Sequence, residues 1–230
     1  MAKVQTIAID GSAASGKSTL GSALAERLNY LYLDTGVMYR AITWAVLNKG
    51  INPADTDAVS ELAETFKLDV IPPTIDDGRQ CTVLVDDQDV TSFIRQPEID
   101  ANVSLVSSFP RVRQVMVTKQ RAIAQQGPVV MVGRDIGTVV LPKADLKIFT
   151  MASPEVRAKR RYDEAQQRGE TSSYEAILAS MIKRDKLDRE KAISPMIPAD
   201  DAIIVNTDNL SVEEVLKQVE GLILAEKVTS

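Results

Sequence analysis

Residues Gly11 to Ser18, GSAASGKS, have the spacing G-x-x-x-x-G-K-[ST]. A turn of small residues lets successive backbone N–H groups point inward and cradle phosphate oxygens. A helix starting at Lys17 adds its N-terminal amides and dipole to the same place. Lys17 would reach the β- and γ-phosphates of a nucleoside triphosphate, and Ser18 would hold Mg²⁺. The nucleotide contacts expected are Gly11, Ser12, Ala13, Ala14, Ser15, Gly16, Lys17, Ser18 and Thr19. The context fits: "IAID" before the loop reads as a buried strand, and residues 17–28 place Leu20, Ala23, Leu24 and Leu28 on one helix face.

Such a loop serves a kinase, which moves the γ-phosphate to a small acceptor, or a switch that hydrolyses slowly and binds partners. The chain has no N-K-x-D base reader of the kind a guanine switch carries; "NTDN" at 206–209 does not fit one. A kinase needs cations around two phosphate groups that repel each other, and they occur in three places. Asp34 and Thr35 end a strand, with Arg40 one helical turn beyond Gly36. Arg134 and Asp135 follow the apolar run "PVVMVG", where ligands of a parallel sheet sit. A guanidinium beside a carboxylate could grip a phosphate and an amino or hydroxyl edge together. Third, Arg157, Arg160 and Arg161 share a face of one charged helix, and Arg184, Asp188 and Lys191 a face of the next. These two helices are expected to form a lid that excludes water and brings positive charge to the transfer, with Lys17, Arg134, Arg157 and Arg161 as the catalytic cations.

The 230 residues carry a net charge of -5, 44% apolar residues, one cysteine and no histidine. An acidic chain is a poor general binder of nucleic acid or anionic membrane. Without histidine there is no Ser-His-Asp triad and no His-ligated metal. Phosphoryl transfer tolerates this absence, because it runs on positioning and electrostatics. An acceptor phosphate is already anionic and needs no base, which favours a nucleotide acceptor over a sugar hydroxyl. No apolar run approaches the ~20 residues of a membrane span, and the N-terminus lacks a signal pattern. A cytoplasmic location follows as the expectation; a monomer is also expected, though no residue pattern points to the oligomeric state.

Elements alternate as strand and helix, which predicts an α/β protein with a central parallel sheet covered by helices. Helices are expected at 56–67, 97–107, 111–126, 154–168, 173–191 and 211–227, the last capped by Ser211. The strand-like stretches "LDVIPP", "CTVLVDD" and "QDVTSFI" at about 68–94 interrupt the alternation as an insert. The expected division of this single domain is a core (about 1–35, 110–153 and 195–230), an acceptor-binding region (about 36–109) and a lid (about 154–194).

Taken in order, "IDGSAASGKST", "LDTGVMYR", "FPRVR", "GRDIGTVV" and "RDKLDREKAISP" resemble the bacterial cytidylate kinases, over roughly 3–227. The resemblance implies a three-layer phosphate-loop kinase fold, ATP with Mg²⁺ as donor, and CMP or dCMP as acceptor. Position by position, it implies that the acceptor phosphate meets Arg40, Arg134 and Lys191, and that the cytosine meets Ser104, Arg113 and Asp135. The sugar would meet Arg184 and Asp188, with Thr35 nearby. The chain departs from the family at Lys191, often arginine, where a bidentate grip becomes a point charge. It also has Leu187 where a charge is expected, and Thr35 for serine. Other small acceptors, such as UMP, dUMP or a non-nucleotide metabolite, remain alternatives, as does a nucleotide-binding module without turnover.

Overall fold

The computed structural model describes residues 4–167, 169, 171–190 and 194–229, with side chains as far as Ile223. In chain order the elements are β1 (Thr6–Gly11), α1 (Lys17–Leu28), β2 (Leu31–Asp34), α2 (Thr35–Asn48) and α3 (Thr56–Thr65). Then come β3 (Leu68–Ile71), β4 (Thr82–Val85), β5 (Gln88–Asp89), α4 (Pro97–Val106) and α5 (Pro110–Ala124). The chain closes with β6 (Val129–Gly133), β7 (Leu146–Met151), α6 (Pro154–Gln167), α7 (Tyr174–Glu190), β8 (Ile203–Asn206) and α8 (Val212–Thr229). These elements form two compact units, Leu33–Gln125 and the remainder, with β2 carrying the chain from one to the other. The unit boundary at Gln125 places α5 with the insert, whereas the sequence division put residues from 110 onward in the core.

The larger unit is built on a five-stranded sheet in the order β2-β6-β1-β7-β8. β1 runs parallel to β6 and β7, and β7 parallel to β8. The α/β class with a mainly parallel central sheet is therefore as expected. The strand period of two turns Ile7 and Ile9 to one face. There they join Leu20, Leu24, Val130, Val132, Ile148, Val205, Leu216 and Val219 in one buried cluster between the sheet and the helices α1 and α8. α1 lies very close to the sheet because position 21 is glycine: a Cβ there would fall 2.4 Å from Val132 Cγ1. α8 starts with a capping box. Ser211 Oγ accepts from Glu214 N–H at 3.3 Å, and Glu214 accepts from Ser211 N–H at 2.8 Å.

In the smaller unit β3, β4 and β5 form an antiparallel sheet. β4 and β5 are joined through Asp86 and Asp87, whose φ values are 49° and 65°. Positive φ at both central residues is the two-residue hairpin turn that matches strand twist, and aspartate tolerates it. Asp55 caps α3, and Pro97 and Pro110 open α4 and α5, where a missing N–H costs nothing. "QDVTSFI" is a strand only over Gln88–Asp89 and ends in a 3-10 turn at Phe93–Arg95. The reason is local: Asp89 accepts from Thr91 N–H and Oγ, and Thr91 Oγ accepts the Val83 amide in place of a backbone carbonyl. Among the described residues no helix is long and apolar enough to cross a membrane.

Candidate active site

The phosphate loop leaves β1 at Gly11, whose φ is 151°. A Cβ at that position would lie 2.4 Å from Thr150 Oγ1 and 2.8 Å from Ser15 Oγ, so only glycine passes. Ser15 is fully buried and shares a 2.7 Å hydrogen bond with Thr150 Oγ1. Ala14 sits at φ 59°, a left-handed position that disfavours a side chain by about 1–2 kcal/mol. Three neighbours hold the carbonyls around it. Arg157 donates to Ala13 O at 3.3 Å, Arg160 to Ala14 O at 3.3 Å, and Thr207 to Ser15 O at 3.0 Å. A peptide whose carbonyl is tied on one side presents its N–H on the other, so these bonds orient the loop's amides (the Ser15 amide also lies 3.4 Å from Ser12 O). Lys17 Nζ donates to Ser12 O at 2.9 Å, folded back over the loop that precedes it. Gly16 caps α1 from a left-handed φ of 86°.

Arg134 and Asp135 follow β6, as the sequence indicates. Arg134 Nε lies 3.1 Å from Asp188 Oδ2. Asp135 is 7% exposed, and its carbonyl accepts from Val139 and Val140 as a π-helical turn begins at Ile136. Asp10, the last residue before Gly11, is also buried. It accepts from the Ile136 and Gly137 amides at 2.7 Å each. Burial pushes its carboxyl up to about 6, with Asp135 adding to the rise and the two amides and Lys17 opposing it.

The charged helices α6 and α7 pair, but the three arginines of α6 part company. Arg157 is 2% exposed and bonded to Asp185, itself buried, and to Ala152 O at 3.0 Å. Arg160 is half-buried between Ala14 O and Thr207, and Arg161 is exposed beside Glu164 at 3.2 Å. The shared face expected for Arg157, Arg160 and Arg161 is thus split between the interior and solvent. On α7, Arg184 is half-buried and Asp188 buried, its carboxylate turned to Arg134. Lys191 lies outside the described residues.

In the smaller unit, Thr35 is buried at the start of α2, beside its cap Asp34, which accepts from Gly36 N–H at 2.9 Å. Arg40 donates to Ile94 O at 3.0 Å and pairs with Asp100 of α4. Ser104 is exposed on α4. Arg113 stacks its guanidinium 5.8 Å above the Tyr39 ring.

Sequence reasoning did not single out Asp10, Thr207 or Asp185. Asp10 carried a signal, as the one charge ending an apolar strand. Asp185 sits beside Arg184, and Thr207 lies within "NTDN", a stretch whose pattern points to no base reader.

A strand, a loop of small residues and a helix on a parallel sheet define an α/β phosphate-loop nucleotide-binding fold. The cytidylate kinase family profile matches residues 7–224. The chain is 54% identical over 210 residues to the cytidylate kinase of Chloroflexus aggregans, covering 91% of this chain and 90% of that one. It is 44% identical over 219 residues to the cytidylate kinase of Bacillus subtilis, covering 95% and 96%. This chain belongs to the cytidylate kinase family and is an enzyme of the nucleoside monophosphate kinase class. An uncharacterized protein from Eubacterium ventriosum shares the fold at 11% identity, with a TM-score of 0.51 over 94% of this chain and 96% of that one.

Proposed function

We propose that the chain transfers the γ-phosphoryl group of ATP to CMP or dCMP, giving ADP and the nucleoside diphosphate. The observation that carries the donor side is the phosphate loop, with its carbonyls tied to Arg157, Arg160 and Thr207 and Lys17 folded over it. Family membership and the cytidylate kinase relatives support the acceptor. An oxygen of the CMP phosphate attacks the γ-phosphorus in line as the bond to the β-bridging oxygen breaks. The attacking oxygen is already anionic, so no side chain must take a proton. Catalysis then reduces to holding two anions together and stabilising charge on the transferring group.

Lys17 spans the β- and γ-phosphates. Arg134 and Arg161 supply further charge, and Arg157 acts through the loop it holds. Arg40, Arg134 and Lys191 receive the acceptor phosphate; Ser104, Arg113 and Asp135 read cytosine; Arg184, Asp188 and Thr35 serve the sugar. A carboxylate such as Asp135 accepts from the cytosine N4 amino group, which uracil lacks. The Ser18 hydroxyl is a hard oxygen suited to Mg²⁺. Among the described residues no group of three or more His, Cys, Asp or Glu could hold a metal; Mg²⁺ bound with a nucleotide would keep several waters beside the phosphate oxygens. When bound with the nucleotide, Mg²⁺ would supply positive charge against the phosphates. The reading calls for a cytoplasmic monomer with small-molecule substrates, and no nucleic acid or membrane.

The base assignment is tested with Asp135→Ala. It should raise KM for CMP by about tenfold or more, the scale of a lost charged hydrogen bond, while KM for ATP moves less than about twofold. An equal rise for both substrates contradicts the assignment.

A further inference from the structure

Asp10 is used by neither the phosphate-loop motif nor the acceptor set, yet it is one of the buried charges of the larger unit. The strand period turns it away from the face that carries Ile7 and Ile9. Each of its carboxylate oxygens takes one amide: Oδ1 from Ile136 and Oδ2 from Gly137, both at 2.7 Å. These amides begin the turn that follows Arg134 and Asp135 directly. The fit is close, since a Cβ on Gly137 would stand 3.4 Å from Asp10 Oδ2 and 3.2 Å from Lys147 Cδ. The Asp135 carbonyl accepts from Val139 at 2.9 Å and Val140 at 3.1 Å, so the peptide after Asp135 is fixed from both sides.

We propose that Asp10 is a positioning residue for acceptor recognition: through the Ile136 and Gly137 amides it fixes the turn that presents Arg134 and Asp135. The inference rests on the acceptor reading of Asp135 given above. A carboxylate is needed because both amides are donors, and each needs an acceptor oxygen. Asparagine would offer one oxygen and set its own N–H₂ against the second amide. The turn would then keep one anchor, and Asp135 would lose its fixed direction. The phosphate loop would keep its own anchors at Arg157, Arg160 and Thr207.

The test uses the full chain with Asp10→Asn, Asp10→Ser and Asp135→Ala. Steady-state kinetics vary CMP at saturating ATP and the reverse. Amide exchange at Ile136 and Gly137 is followed in the free protein. The expected result for Asp10→Asn is KM for CMP raised about tenfold, KM for ATP within about twofold, and faster exchange at both amides. Asp10→Ser should act in the same direction. A parallel rise of both KM values, or an unchanged KM for CMP with faster exchange, overturns the inference. If Asp135→Ala is selective for CMP while Asp10→Asn is not, the acceptor reading stands and only this inference falls. If Asp135→Ala damages both substrates alike, the reading falls and takes the inference with it. Should neither Asp10 variant fold, the wild-type chain decides: added CMP slows exchange at Ile136 and Gly137 more than ATP does, or the inference is wrong.

Discussion

Replacing Arg157 with methionine should destabilise the larger unit severely, and replacing its partner as well should restore much of the loss. The guanidinium and the Asp185 carboxylate are only 2% and 6% exposed. Such a pair gains little over apolar groups of the same volume, because both ions left water. Removing one partner is different, since it strands the other charge in the interior, at about 3–5 kcal/mol. In Arg157→Met the carboxylate of Asp185 is stranded, and Ala13 O and Ala152 O lose their donors. For a domain of this size each kcal/mol moves Tm by about 2–4 °C, so the midpoint should fall by roughly 6–20 °C. Asp185→Leu should cost a similar amount. In the double variant Arg157→Met/Asp185→Leu no charge is stranded, and the loss should be smaller than either single loss. Urea unfolding of the four proteins, arranged as a double-mutant cycle, measures the coupling. Additive costs, or a single-variant loss below about 1 kcal/mol, would refute the reasoning and mean that water reaches the pair.

Lys17→Ala should lower kcat by about 10²-fold or more, the scale of lost transition-state charge stabilisation, with an unchanged far-UV circular dichroism spectrum. Near-normal turnover would remove Lys17 from its role. Gly11→Ala should weaken ATP binding, measured by calorimetry, because the new Cβ would meet Thr150 and Ser15 at 2.4–2.8 Å; unchanged affinity would contradict the close approach. Asp10 gives a pH prediction with a definite sign. Its folded pKa of about 6 lies above the ordinary 3.8, so the folded state holds the proton more tightly. Its charge therefore destabilises above about pH 6, and the penalty fades as pH falls toward 4. Asp135 and Lys17 are the charges that bear on it, and Lys147 packs against the same turn. Measured against Asp10→Asn, which does not titrate there, the wild type should gain stability from pH 7 to pH 4, on the order of 2–3 kcal/mol. A flat or opposite difference would contradict the burial argument.

What the sequence made legible was local in origin. Small residues with a lysine announce the phosphate loop, and helix periodicity, with Ser211 as a cap, fixes helix starts to within a residue or two. What it concealed depends on partners far along the chain. The turn after Asp135 takes its form from Asp10, 126 residues away. The arginines of α6 look alike in a helical projection. Asp185, Thr207 and the carbonyls of Ala13, Ala14 and Ala152 separate the buried Arg157 and half-buried Arg160 from the exposed Arg161. The expected strand over "QDVTSFI" yielded because Asp89 and Thr91 bond each other and the Val83 amide, which a β-propensity reading does not weigh.

The central claim is that this chain phosphorylates a cytosine nucleotide with ATP. ADP release with ATP and Mg²⁺, measured in parallel against CMP, dCMP, UMP, AMP, GMP and shikimate, tests it most directly. Fast turnover with CMP and dCMP and little with the other four is the expected result. Preference for another acceptor would contradict the base reading by Ser104, Arg113 and Asp135, and tight ATP binding without turnover on any of them would contradict the transfer itself.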